Sequence, residues 1–255
     1  MTLGNPLVKT KEEIEIMRQG GKILAYVLSE LANYIKPDIS ELDIDRLAEK
    51  LILEKGAVPG FKKVDGYKHA TCISTNDVVV HGIPTEYRLK EGDIVGIDCG
   101  VYYKGFHTDM AQTLRVSTQN YNKIDKFLET GEKAMWEGIK AAKLGNRIGD
   151  ISKAIQDVVE GQRYSVVRSL IGHGVGKELH EEPEVPGFLD QAISRTPKLY
   201  DGMTIAVEVI YNMGKSDVIY SINDGWTIKS KDGSLSGLFE RTIAITREGP
   251  LILTK

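Results

Sequence analysis

Asp98, Asp109, His173, Glu208 and Glu240 are four carboxylates and one imidazole set in segments that otherwise read as apolar strands. Buried carboxylates repel one another and lose their hydration, so such a set requires positive charge from Lys, Arg or a metal. The first two acids lie in GDIVGIDCGVYYKGFHTDMAQTLRV, two apolar runs joined at Lys104-Gly105, a hairpin signal. If Tyr103 and Phe106 flank a two-residue turn, Asp98 falls opposite Ala111 and Asp109 opposite Gly100. Both carboxylates then share one face as diagonal neighbours.

The second half repeats the device. Asp201-Gly202 precedes Glu208 by the interval that separates Glu91-Gly92 from Asp98, and a second acid follows each time, Asp109 at the head of MAQTLRV and Glu240 at the head of RTIAIT. This pattern reads as an internal duplication. The competing reading makes each acid an edge-strand charge that discourages aggregation. His173 sits between glycines in IGHGVG, His180 follows in LHEEPEVPGF, and His81 ends the apolar run VVVHGIP, where loops display reactive side chains. His69 and His107 lack such context and read as polar surface or supporting groups.

The donor set, without thiolate and rich in oxygen, favours Mn, Fe(II), Co or Zn over a closed structural zinc site. Five ligands with carboxylates able to bridge suit two ions about 3.5–4 Å apart, as in dinuclear hydrolases.

The strings HGIP at His81, GIDCG at Asp98, FHTD ending at Asp109, GHGVG with LHEEP at His173 and His180, AVE at Glu208 and LFERTIAIT at Glu240 together resemble type I methionine aminopeptidase over nearly the whole chain. The resemblance implies an α+β pita-bread fold, with two pseudo-symmetric halves curving an antiparallel sheet inside outer helices. It also implies removal of the initiator methionine from nascent polypeptide N-termini whose second residue is small, by attack of a hydroxide bridging two divalent ions. In that scheme Asp109 and Glu240 bridge, His173 and Glu208 complete one shell and Asp98 the other. Glu208 takes the water's proton, His180 bonds the scissile carbonyl oxygen, and His81 serves the scissile nitrogen. Tyr67, Cys72, Leu179 and Trp226 become walls of the methionine pocket, with Phe61 as a further wall; ordinary core packing is the alternative for each. Two departures bear on pocket shape: the stretch between Phe61 and Tyr67 reads as longer than usual, and Leu179 stands where bacterial relatives usually carry Phe. Lys215, Lys229 and Lys231 read as solvated hairpin charges or, by the resemblance, as contacts to the ribosome.

At 255 residues the chain suits one catalytic domain, its halves falling roughly at 10–119 and 120–250 with a seam at Asn120-Tyr121. A net charge of −3 argues against a general nucleic-acid binder. Only Cys72 and Cys99 are present, no signal pattern opens the chain, and no apolar run approaches ~18 residues, so a reducing cytoplasm without membrane attachment is expected, with a monomer implied by the resemblance. Helical spacing predicts helices over Ile14 to Tyr34, from Ser40 to near Lys55-Gly56, over Tyr121 to Ile139 and over Ile148 to Glu160. An X-Pro peptidase of the same fold would be expected to carry an additional amino-terminal domain, and a non-enzymatic pita-bread protein to have lost ligands. The short stretch between Glu208 and Glu240 disfavours a type II enzyme. The Met1-Thr2 start would suit the chain's own activity.

Overall fold

A computed structural model describes residues 8–117 and 120–255. The Met1-Thr2 start and the expected end of the first half at 119 lie outside them. Four helices form: α1 (Lys11–Tyr34), α2 (Glu41–Glu54), α3 (Lys123–Ala141) and α4 (Ile148–Gly161). Sequence places their starts. Thr10, Ser40 and Asn122 each accept a bond from the first turn while Glu13, Asp43 and Asp125 return one, so the capping box at Ser40 forms as expected.

The strands of the first half are β1 (Val58–Pro59), β2 (Thr71–Thr75), β3 (Val78–Val80), β4 (Ile94–Tyr103) and β5 (Phe106–Arg115). Those of the second are β6 (Ser165–Val166), β7 (Gly172–Gly174), β8 (Glu181–Val185), β9 (Thr204–Asn212), β10 (Val218–Tyr220), β11 (Ile228–Ser230), β12 (Ser236–Thr246) and β13 (Gly249–Ile252). The main sheet runs β1-β4-β5-β12-β9-β7-β8, with β2 also on β4, β6 also on β9 and β13 on β12; β10-β11-β3 form a small second sheet. The order is symmetric about the β5–β12 seam, β4 and β5 mirroring β9 and β12. The turns leading into β4 and β9 match too, since Gly92 and Gly202 both adopt positive φ, 87° and 88°. The fold is the α+β pita-bread, two halves sharing one antiparallel sheet.

Alternation along the strands separates helix side from site side. Val95, Ile97, Cys99 and Val101 of β4 pack with Leu24, Leu28 and Ile44 of α1 and α2. Ile205, Val207, Val209 and Tyr211 of β9 pack with Phe127, Met135, Ile151 and Ile155 of α3 and α4. Each fully buried aliphatic contributes about 1.5–3 kcal/mol of burial, which holds the helices on the outer face. Residues of opposite parity, Asp98, Asp109, Glu208 and Glu240 among them, are left to the inner face.

The β4–β5 hairpin has the expected register, Asp98 opposite Ala111, Gly100 opposite Asp109 and Tyr103 opposite Phe106. Lys104 and Gly105 both take positive φ, 47° and 96°, as a two-residue turn matched to strand twist requires. One expectation is corrected. Asp109 and Glu240 do not head their strands but lie within them, because Phe106–Thr108 and Ser236–Phe239 already pair with β4 and β9. Among the described residues no helix is long and apolar enough to cross a membrane.

Candidate metal centre and substrate pocket

Sheet register assembles the acids on one rung. Asp98 pairs with Ala111, Ala111 with Glu240, and Glu240 with Glu208, so one row of neighbouring residues crosses β4, β5, β12 and β9. Asp109 lies two residues before Ala111 on the same face, and His173 on β7 sits opposite Ala206, two residues before Glu208. Ligand atoms of Asp109, His173 and Glu240 all lie within 4.8 Å of one another. His173 Nε2 is 4.0 Å from both Asp109 Oδ2 and Glu240 Oε1. Asp98 adjoins the triad from β4, beyond Asp109 on β5, and Glu208 lies on β9, between the strands of Glu240 and His173.

These five side chains share a cavity of about 540 Å³ with His81, His180, Phe61, Tyr67, Cys72, Leu179 and Trp226. Every residue singled out for ligation, catalysis or the pocket therefore reaches one space.

The electrostatics call for a cation. Burial drives the Asp109 carboxyl up to about 7, and burial with the neighbouring Asp109 charge drives Glu208 up to about 8. Asp98 and Glu240 are pushed far above the carboxylate range by burial and then by Asp109. Among the described residues no Lys or Arg forms an ion pair with any of the four, and Asp98 Oδ1 has no hydrogen-bond partner. Arg241 adjoins Glu240, yet its Nη1 donates to the carbonyls of Ala111 (3.1 Å) and Glu240 (2.7 Å). Of the three possible sources of charge, Lys and Arg are thus absent. His173 is set up as a donor: its Nδ1 lies 2.8 Å from the Gly174 carbonyl, which assigns the proton there and leaves the Nε2 lone pair facing the acids. Burial also lowers its pKa to about 4, so the ring is neutral near pH 7. Cys72 lies opposite Asp98, but burial raises its pKa well up and keeps it a thiol. An oxygen-rich set with one imidazole and no thiolate fits divalent ions of the Mn, Fe(II), Co or Zn kind.

His81 follows β3 in the left-handed region, φ 56°, an uncommon backbone for a residue other than glycine. Ile73 N donates to the Gly82 carbonyl (2.8 Å), Ile83 N to Thr227 Oγ1 (3.3 Å), and Thr85 N to Glu41 Oε2 (3.0 Å). Burial and then His180 lower the His81 pKa to about 4. His180 stands exposed at the rim, its ring edge-on to His173 at 4.4 Å and 80°, and partial burial lowers its pKa. Both imidazoles are therefore neutral near pH 7, each with one N–H to donate.

Phe61, Tyr67, Cys72 and Leu179 pack with Val64, Ile83 and Trp226 as an apolar cluster of their own, apart from the two large cores. The Tyr67 ring meets Trp226 edge-on at 5.0 Å, and its hydroxyl donates to Thr71 O (2.8 Å) and reaches Cys72 Sγ (3.2 Å). Asp224 Oδ1 accepts the amides of Trp226 and Thr227, both at 2.8 Å, and so shapes the turn carrying that wall.

Sequence reasoning missed the supports Glu41, Thr227 and Asp224. Only the Asp224-Gly225 turn was visible as a pattern; Glu41 reads as an ordinary first-turn acid. His107 is not at the surface but 3 % exposed, because its position two residues before Asp109 turns it to the same inner face. His69 bonds Asp45 (3.1 Å). Lys229 lies 3.5 Å from Asp77, whereas Lys215 and Lys231 are exposed.

Sheet, cavity and acid–histidine cluster together define a metallopeptidase. The model of metallopeptidase family M24 matches residues 15–247, and the chain belongs to that family, on its type I methionine aminopeptidase branch. It is 44% identical over 248 residues to a methionine aminopeptidase of Clostridium perfringens, covering 97% of this chain and 98% of the relative. Methionine aminopeptidase 1 of Bacillus subtilis is 42% identical, covering 98% and 99%. Among solved structures, the methionine aminopeptidase of Thermotoga maritima superposes with a TM-score of 0.93 at 38% identity, covering 97% and 98%. A prolidase of Pyrococcus furiosus superposes with a TM-score of 0.78 at 26% identity, covering 98% of this chain but 65% of its own.

Proposed function

We propose that this enzyme removes the initiator methionine from new polypeptides with a small second residue, acting as a cytoplasmic monomer with two divalent ions. The observation that carries this reading is the buried, uncompensated cluster of four acids and a neutral His173 at the base of an apolar cavity. An X-Pro peptidase is disfavoured, since the prolidase match is lower in identity and spans less of its partner.

Asp109 and Glu240, central in strand order, would be shared between the ions, with His173 and Glu208 completing one shell and Asp98 the other. Bound there, the ions supply a water that ionises near neutral pH and an electrophile for the substrate carbonyl. Glu208 accepts the proton of the attacking water. His180, neutral and at the rim, donates its N–H to the scissile carbonyl oxygen as negative charge develops there. His81 bonds the peptide at the scissile nitrogen and routes a proton to it as the C–N bond breaks, so that one water yields a carboxylate and an ammonium. Tyr67, Cys72, Leu179, Trp226 and Phe61 enclose the departing residue, and an apolar slot with a protonated thiol suits an unbranched thioether.

The test is hydrolysis of Met-Ala-Ser, Leu-Ala-Ser and Ala-Pro-Ala by apo-protein refilled in turn with Mn, Co, Fe(II) and Zn. Metal-dependent release of Met alone is expected. Cleavage before Pro would transfer the chain to the X-Pro peptidases.

A further inference from the structure

Lys9 is buried, 7 % exposed, although it precedes the first helix. Its backbone is fixed from two sides. The Lys9 amide donates to the Gly202 carbonyl at 2.8 Å, beside the bridge between Val8 and Met203. The next residue, Thr10, caps α1 through Glu13 N to Thr10 Oγ1 (3.2 Å) and Thr10 N to Glu13 Oε2 (2.9 Å). From this anchored point the side chain passes Gly176, where a Cβ would collide with it, and its Nζ pairs with Glu181 Oε2.

Glu181 is not a surface charge finding a chance partner. Its side chain is 17% exposed, and its second oxygen, Oε1, accepts the Glu178 amide at 3.1 Å. The carboxylate thereby closes the turn Glu178-Leu179-His180-Glu181, whose central residues are a wall of the pocket and the histidine at the rim. The preceding residues are tied as well: Gly176 N donates to Glu178 O (3.0 Å), and Gly176 O accepts the His107 amide (2.6 Å). A largely desolvated carboxylate keeps its place only when its charge is paired. Lys177 does not serve, being 71% exposed and 4.0 Å from Glu13 instead.

We propose that Lys9 is a positioning residue for the reaction: its ammonium grips Glu181 from 172 residues away and so fixes the turn that aims His180 over the His173 end of the cluster. The inference rests on the reading of His180 as donor to the scissile carbonyl. Lys9 touches no substrate. It sets where the imidazole stands, and misplacing a reacting group by about 1 Å costs up to about 10²-fold in rate.

The experiment measures kcat, KM, metal content and melting temperature for wild type, Lys9→Met, Lys9→Arg, His180→Ala and the Lys9→Met/His180→Ala double variant, all refilled with Mn. Lys9→Met should lower kcat by about 10- to 100-fold, with metal content unchanged and the smaller change in KM. Lys9→Arg should restore most of the loss, and Lys9→Met should add nothing to kcat once His180 is gone. Should Lys9→Met fail to fold, Glu181→Gln, which keeps an oxygen for the Glu178 amide, should show the same loss and the same lack of additivity. Equal kcat losses with and without His180 would overturn the proposal. Full activity of His180→Ala would instead overturn the reading of His180 on which it rests.

Discussion

The floor of the site and its rim are built by different means. The floor is strand register: Asp98, Glu240 and Glu208 occupy one rung across β4, β12 and β9, and every one of those strands is clamped by helices packed on its outer face. The rim is a set of turns held by single side chains, Glu41 and Thr227 around His81, Asp224 under Trp226, Glu181 under His180. Floor residues need several charges within one ion's reach, which a rigid ladder provides. Rim residues need only be aimed, and one hydrogen bond to a backbone amide can do that.

Substitutions should therefore divide by region. Asp109→Asn, on the floor, should leave no measurable turnover together with loss of bound metal by elemental analysis; full metal occupancy in that variant would break the distinction. His180→Ala, on the rim, should lower turnover by about 10²–10³, the scale for one lost oxyanion donor, with metal content near normal. Asp224→Ala frees the turn carrying Trp226 and should raise KM for Met-Ala-Ser by about fivefold with little change in kcat, the scale of one net hydrogen bond. Ser40 lines no part of the cavity; in Ser40→Ala, loss of the α2 cap should cost about 1 kcal/mol in unfolding free energy and leave kcat near the wild-type value.

The floor should also carry its own pH signature. With folded pKa values of about 7 for Asp109 and about 8 for Glu208 against 3.8 and 4.5 for the free side chains, the metal-free folded state holds protons that the unfolded state has released. Stability of the apo-protein is then lost as pH rises from the unfolded values through about 7–8. His173, lowered to about 4 from 6.5, opposes this below 6.5, so the decline stands clear between 6.5 and 8. The apo melting temperature should fall across that window and divalent metal should abolish the fall; a rising apo curve would contradict the account.

Much of the floor was legible in the chain. Period-two alternation and a two-residue turn at Lys104-Gly105 fix Asp98 and Asp109 relative to each other, and the repeated Gly-to-acid spacing of six residues carries the argument to Glu208. Only the placing of Asp109 and Glu240 at strand heads failed, because pairing with a long neighbour extends a strand beyond its most apolar stretch. The rim was legible as motifs, HGIP and LHEEP, but not as geometry. Nothing in local periodicity tells that His81 takes a left-handed backbone, that Glu41 bonds Thr75 and Thr85 rather than water, or that Lys9 reaches Glu181. Those contacts join residues distant in sequence by side chains whose types are common on any surface.

On this reading the uncompensated acids hold the ions on which methionine release depends. Its most direct test is titration of chelator-stripped protein with Mn while Met release from Met-Ala-Ser and bound metal are recorded together. The stripped protein should release no Met, and activity should climb with occupancy to a plateau by two ions per chain. Full activity without metal, or saturated binding with no release of Met, would contradict it.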